Sequence, residues 1–154
     1  MILFLDMDLL IIFFAKYFIF LIIIFVGLFL LNHHGHTKLF YKNALIIFLS
    51  ALCAWIVAYI LKDIIKHPRP DETLALIKDG SYSFPSGHTT FISALGMSLS
   101  NINKKIGYKI IFLSLIVGFA RVLAGVHFWY DILGGLVLGI VISFALTKLV
   151  RKFI

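Results

Sequence analysis

A single cysteine among 154 residues leaves no intramolecular disulfide to form, and Cys53 lies inside an apolar run where it reads as a small packing residue. Prolines are as scarce. All three, Pro68, Pro70 and Pro85, fall with Gly80 between Lys62 and Pro85, so the strong chain breakers gather in one long loop. No low-complexity linker and no internal repeat divides the sequence. Acids are few: Asp6, Asp8, Asp63, Asp71, Glu72, Asp79 and Asp131 stand against 14 lysines and arginines. No group of carboxylates and histidines has the spacing of a divalent-metal site beside the residues singled out below. The nearest candidate, His33-His34-Gly35-His36, sits between two apolar runs and reads as a solvated polar loop. The net charge of +7 is no nucleic-acid footprint, because the basic residues are scattered at the ends of apolar runs and not gathered on one polar face.

What the chain has in abundance is apolar surface. Hydrophobic residues make up 62% of it and the mean hydropathy is +1.06, far beyond what one water-soluble core needs. The bilayer is the expected solvent. Five apolar stretches, at about 9–31, 43–61, 86–102, 108–124 and 131–149, predict an all-α polytopic bundle of about five transmembrane helices. They leave too little polar sequence for a separate soluble module, so residues 1–154 are expected to form one membrane-embedded domain. The first run is broken only by Lys16 and follows Asp6 and Asp8, unlike a cleavable leader with its basic start and short apolar core. The third run carries Ser93, Ser98 and Ser100, which predicts a helix enclosed by its neighbours. Gly135 and Gly139, at GxxxG spacing in the fifth, predict close helix packing.

Lysine and arginine asymmetry sets the expected orientation. With the N-terminus outside, the cytoplasmic side holds Lys38, Lys42, Lys104, Lys105, Lys109, Lys148, Arg151 and Lys152, and no acid. The long loop then faces outward.

Three clusters carry chemistry: Lys62 to Arg69-Pro70, Pro85-Ser86-Gly87-His88, and Ala120-Arg121 followed by His127 and Asp131. Each lies at the predicted outer end of a span, so distant segments should converge on one rim. Lys62, Arg69 and Arg121 supply cations and fixed donors suited to phosphate oxygens. Ser86 and Gly87 lie where a loop enters a helix, and backbone N–H groups there can stabilise an anion. Arg121 is a charge within an apolar span, which marks a functional candidate unless it snorkels to the interface. His127 and Asp131 are four residues apart. On one helix face the carboxylate orients the imidazole, leaving its second nitrogen to accept a phosphoryl group. His88 is placed to act as general acid on the leaving oxygen.

These clusters resemble, in order and spacing, the three-part signature of the type 2 phosphatidic acid phosphatase superfamily: K-x6-R-P, P-S-G-H and S-R-x5-H-x3-D. That superfamily also includes soluble acid phosphatases and vanadium haloperoxidases. The resemblance implies a phosphate cradle of Lys62, Arg69, Ser86, Gly87 and Arg121, with His88 as acid, His127 as nucleophile and Asp131 as its orienter. It implies no cofactor and no metal. Ala120 departs from the pattern's serine, and the membrane branch often has six spans where this chain opens almost directly on its first. His67, beside Arg69, lies outside the signature and reads as a bystander. Phe128, Trp129 and Tyr130 read as interfacial anchors at headgroup depth. The implied substrate is a lipid phosphate or diphosphate at the outer leaflet of a bacterial inner membrane, with no obligate protein partner evident.

In length and in its Phe14-Ala15-Lys16-Tyr17 segment the chain looks most like the small bacterial undecaprenyl-diphosphatase branch. Phosphatases of phosphatidylglycerophosphate, phosphatidate and lipid A share the same clusters and stay open as alternatives. Five spans argue against halide oxidation by bound vanadate. A catalytically silent lipid-binding membrane protein is the reading from another class; intact His88, His127 and Asp131 count against it.

Overall fold

The computed structural model describes residues 2–70 and 73–153, so Asp71 and Glu72 lie outside the described residues. The described chain is helical, with no strand among the described residues. Helix α1 spans Ile2–Ile12, passes through a π-helical segment, Phe13–Tyr17, and continues as α2, Phe18–His34. Then follow α3 (Lys38–Ile65), α4 (Gly87–Leu99), α5 (Lys104–Leu123) and α6 (Trp129–Phe153).

Local chemistry sets several of these boundaries. Thr37 Oγ1 accepts from the Phe40 N–H at 3.3 Å and opens α3; Asn103 Oδ1 accepts from the Ile106 N–H at 3.0 Å and opens α5. Lys66 ends α3 in the left-handed region, at φ 53°. At the start of α6 the Asp131 carboxylate reaches back to accept from the Phe128 N–H at 2.9 Å, the acidic half of a capping box.

Among the described residues four segments are long and apolar enough to cross a membrane: Asp6–His33, Lys38–Ile65, Lys104–Leu123 and Trp129–Val150. The protein is an integral membrane helical bundle. The remaining predicted span, 86–102, is realised as the 13-residue α4, about 20 Å long and thus shorter than a hydrocarbon core of about 30 Å. It is the central helix, enclosed by α3, α5 and α6. Ile92, Leu95 and Leu99 are fully buried and pack with Ile47, Ala51 and Ala54 of α3 and with Ile110 and Val117 of α5. Large side chains such as Phe20, Leu28, Phe112 and Phe144 point outward, as the lipid-facing surface of a bundle requires.

Small and hydroxylated residues let α4 and α6 approach. A Cβ on Gly139 would lie 2.1 Å from Ser93 Oγ and 2.3 Å from the Thr90 carbonyl oxygen, so only glycine fits. Ser143 Oγ donates to the Ala94 carbonyl at 2.8 Å, and Ser98 Oγ lies 3.2 Å from Thr147 Oγ1. Because successive helices run in opposite directions, the end of α3, the start of α4, the end of α5 and the start of α6 meet at one end of the bundle, under the loop of residues 66–86.

Candidate active site

At that end, Lys62 comes from the last turn of α3, Gly87 and His88 from the first turn of α4, Arg121 from the last turn of α5, and His127 from the turn before α6. All five line a single cavity of about 220 Å³ together with Trp55, Tyr59, Asp79 and Ser81. Asp131 stands behind His127 and is fully buried; its Oδ2 lies 3.1 Å from His127 Nδ1. Nδ1 is thereby engaged, and Nε2 is the nitrogen left for other chemistry. Burial pushes the His127 imidazole down to about 4, against the opposing pull of the Asp131 hydrogen bond, so the ring is neutral near pH 7. A neutral, oriented imidazole is the form that can act as a nucleophile.

The cations are held in place by the loop. Lys62 Nζ donates to the carbonyl oxygens of Tyr82 and, at 3.1 Å, Ser83. Arg121 NH1 donates to the Ala15 carbonyl in the π-helical segment at 3.1 Å, and NH2 pairs with Asp79 Oδ2 at 2.7 Å. Its Nε is buried without a partner among the described residues. Asp79 Oδ1 lies 3.0 Å from Arg69 NH2, so one carboxylate bridges two guanidiniums. Burial raises the Asp79 carboxyl's affinity for a proton, but Arg69 and Arg121 outweigh it and hold the group below the usual carboxylate range.

Residues 43–154, which contain all three clusters, match the PAP2 superfamily. The chain belongs to that superfamily. Among curated PAP2-type relatives it is 31% identical over 120 residues to undecaprenyl-diphosphatase BcrC of Bacillus subtilis, covering 73% of this chain and 62% of that one. It is 34% identical over 96 residues to phosphatidylglycerophosphatase B of the same organism, covering 55% and 47%. The chain thus spans less than two thirds of the length of either relative. Among solved structures, a transmembrane PAP2 type phosphatidylglycerolphosphate phosphatase from Bacillus subtilis aligns with a TM-score of 0.70 at 26% identity, covering 96% of this chain and 76% of that one.

Beside this PAP2 cavity two residues expected in the cradle, Ser86 and Arg69, are engaged with the helix starts and the loop. The Ser86 N–H donates to the Asp131 carbonyl at 3.0 Å and its Oγ accepts from Thr89 Oγ1 at 3.1 Å; the residue is fully buried and does not line the cavity. It ties the start of α4 to the start of α6, which carries the orienting carboxylate. Arg69 stands beside the cavity, its NH2 3.0 Å from Oδ1 of the wall residue Asp79. Its Nε and NH2 bind Ser81, and NH1 donates to the carbonyl of Val126, the residue before His127. It clamps the loop onto the turn that presents His127, and the bridging Asp79 connects it to Arg121.

Three residues of this PAP2 site were not singled out by the sequence. Asp79 reads there as one more loop acid, since its arginine partners are distant in the chain. The Ala15 carbonyl has no sequence signature at all. His67, read as a bystander, links the loop to α6: its Nδ1 lies 2.9 Å from Ser83 Oγ and its Nε2 3.3 Å from the Tyr130 hydroxyl. Ala120 packs with Ala15, Ala124 and Val126, so the position where the signature has serine is apolar here and faces the π-helical segment.

Proposed function

We propose that the chain is a membrane lipid phosphatase in which His127 is the phosphoryl acceptor and His88 the general acid. The observation that carries this reading is that both histidines, Lys62 and Arg121 line one cavity, with His127 Nδ1 held by Asp131. In the first step His127 Nε2 forms a bond to phosphorus and the bond from phosphorus to the leaving oxygen breaks. His88, held down to about 3 by burial and by Arg121, takes up a proton as the substrate's phosphate charge offsets the surrounding cations, and delivers it to the leaving oxygen. In the second, water attacks phosphorus, His88 takes the proton from the water, the bond from phosphorus to His127 Nε2 breaks, and phosphate leaves with His127 restored. Lys62 and Arg121 offset the charge on the equatorial oxygens.

The lipid character of the substrate is supported by a groove of about 340 Å³ whose wall includes Ile19, Phe20, Ile23, Trp55 and Phe91 and which reaches Gly87 and His88. An apolar chain attached to the leaving oxygen would lie there, on the side of the acid. Similarity to undecaprenyl-diphosphatase BcrC supports conversion of undecaprenyl diphosphate to the monophosphate as the reaction, and similarity to phosphatidylglycerophosphatase B supports phosphatidylglycerophosphate as the second reading. The basic ends of α3, α5 and α6 lie opposite the site, which supports a site on the outer face of the inner membrane with the C-terminus in the cytoplasm.

The test is phosphate release by detergent-purified protein, in excess EDTA, from undecaprenyl diphosphate, phosphatidylglycerophosphate and phosphatidate. The expected result is EDTA-resistant release from at least one lipid, falling by about 10³-fold or more in His127→Ala. Undiminished release by His127→Ala overturns the assignment of the nucleophile, and no release above that of the variant from any of the three overturns the reading as a phosphatase of these lipids.

A further inference from the structure

A second cavity, of about 450 Å³, adjoins the one that contains His127. The two share Asp79, His88 and Arg121, but the second contains no nucleophile; Lys16 and Lys78 line it instead. His88, the acid, therefore stands between a space where phosphorus meets His127 and a space furnished with two further cations. We propose that this second cavity is a subsite for the inner phosphate of a lipid diphosphate, and that Lys16 and Lys78 make the site prefer diphosphates over monoesters. The inference rests on the reading of His127 and His88 given above.

The placement of Lys16 is the first support. It is the one charge inside the first long apolar run, where an ammonium group is costly unless it meets a partner or a watery cavity. Its Nζ lies 5.3 Å from the Tyr17 ring centroid, a contact that keeps the charge available to the cavity that Lys16 also lines. Its depth is fixed by its neighbour, because the Ala15 carbonyl accepts from Arg121, a wall residue of both cavities. The π-helical turn, Phe13–Tyr17, that contains both residues is a local departure from the α-helix of a kind often found at functional sites. Lys78 comes from the opposite side, on the loop, next to the Asp79 that bridges Arg69 and Arg121.

The chemistry gives the second support. When a monoester is cleaved, the leaving oxygen is an alkoxide that one proton from His88 neutralises. When a diphosphate is cleaved at its outer phosphorus, the bond between that phosphorus and the bridging oxygen breaks as the bond to His127 Nε2 forms. The proton from His88 goes to the bridging oxygen, and the leaving group is a lipid monophosphate that remains anionic. Cations beside the acid, away from the nucleophile, stabilise that leaving group and do little for an alkoxide. Asp79 also borders the second cavity, but its charge is engaged by the two arginines.

The experiment compares the unaltered protein with Lys16→Gln, Lys78→Gln and the double variant in detergent. The kcat/KM for farnesyl diphosphate and for farnesyl monophosphate is measured in each, together with the binding of methylenediphosphonate and of orthophosphate by calorimetry. The double variant is expected to lose about tenfold in the ratio of diphosphate to monophosphate kcat/KM. It should lose a similar factor in methylenediphosphonate affinity, with orthophosphate affinity unchanged. Equal losses for both substrates and both anions, or no loss at all, overturn the proposal. The binding arm does not depend on turnover. Lysine-dependent methylenediphosphonate binding by a protein that hydrolyses neither ester would uphold the subsite and sink the phosphatase reading.

Discussion

On the proposed reading Asp79 sits where an incoming phosphate must compete, since its carboxylate already bridges the guanidiniums of Arg69 and Arg121. Replacing it by Asn keeps the shape and removes the competing charge. Asp79→Asn is expected to bind orthovanadate about 3- to 10-fold more tightly, read as a lower inhibition constant in the phosphate-release assay. His127 gives a second prediction. Its imidazole, near 4 in the folded protein against 6.5 in an unfolded chain, releases its proton early. Between those values the unfolded chain binds more protons than the folded one. The contribution of His127 to stability therefore rises with pH through that window and is constant above it. The acid limb of kcat/KM, corrected for the ionisation of the substrate, should fall near pH 4 and not near 6.5; a limb at 6.5 would show a solvated imidazole. Because the Asp131 hydrogen bond raises the His127 value, Asp131→Asn should move that limb lower while also slowing the reaction.

At the scale of elements, the contact between α4 and α6 is the one that positions His88 relative to His127, and its tolerance is small. A side chain at residue 139 meets Ser93 and Thr90 at once, so Gly139→Val is expected to cost about 1–3 kcal/mol by overpacking. The variant should show a lower melting temperature in detergent together with lost activity, whereas Gly80→Ala, with open space around its Cβ, should change neither. This interface was legible in the sequence because glycines four apart and serines in a short apolar run are local patterns. So was the meeting of Lys62, His88, Arg121 and His127, since each ends or begins an apolar run and antiparallel helices bring alternate ends together. The length of α4 was less so: the run continues through Ile102, but Asn103 caps the next helix and the chain turns after Leu99. The clamping role of Arg69 was hidden for another reason. Its partners include the carbonyls of Ser81 and Val126, which every residue type offers alike. The π-helical turn escaped as well, because Phe13–Tyr17 is as apolar as the α-helical turns on either side.

At the scale of the whole molecule, orientation can be read directly, because Cys53 is the chain's only thiol. In a Cys53→Ala background, Gly80→Cys is expected to react with a membrane-impermeant maleimide on intact cells, and Lys104→Cys only after permeabilisation. The reverse pattern would invert the proposed topology. The molecule also divides unevenly along its length. The superfamily match begins at residue 43, and every residue of the three clusters follows it, yet the preceding helix reaches the cavity wall through the Ala15 carbonyl and Lys16. On the proposed reading, one of the two lysines that fit the headgroup, Lys16, lies on the leading helix, and the other, Lys78, lies within the matched stretch beside Asp79. Substitutions in the leading helix can then shift the choice of substrate while the stretch that carries both histidines stays as it is.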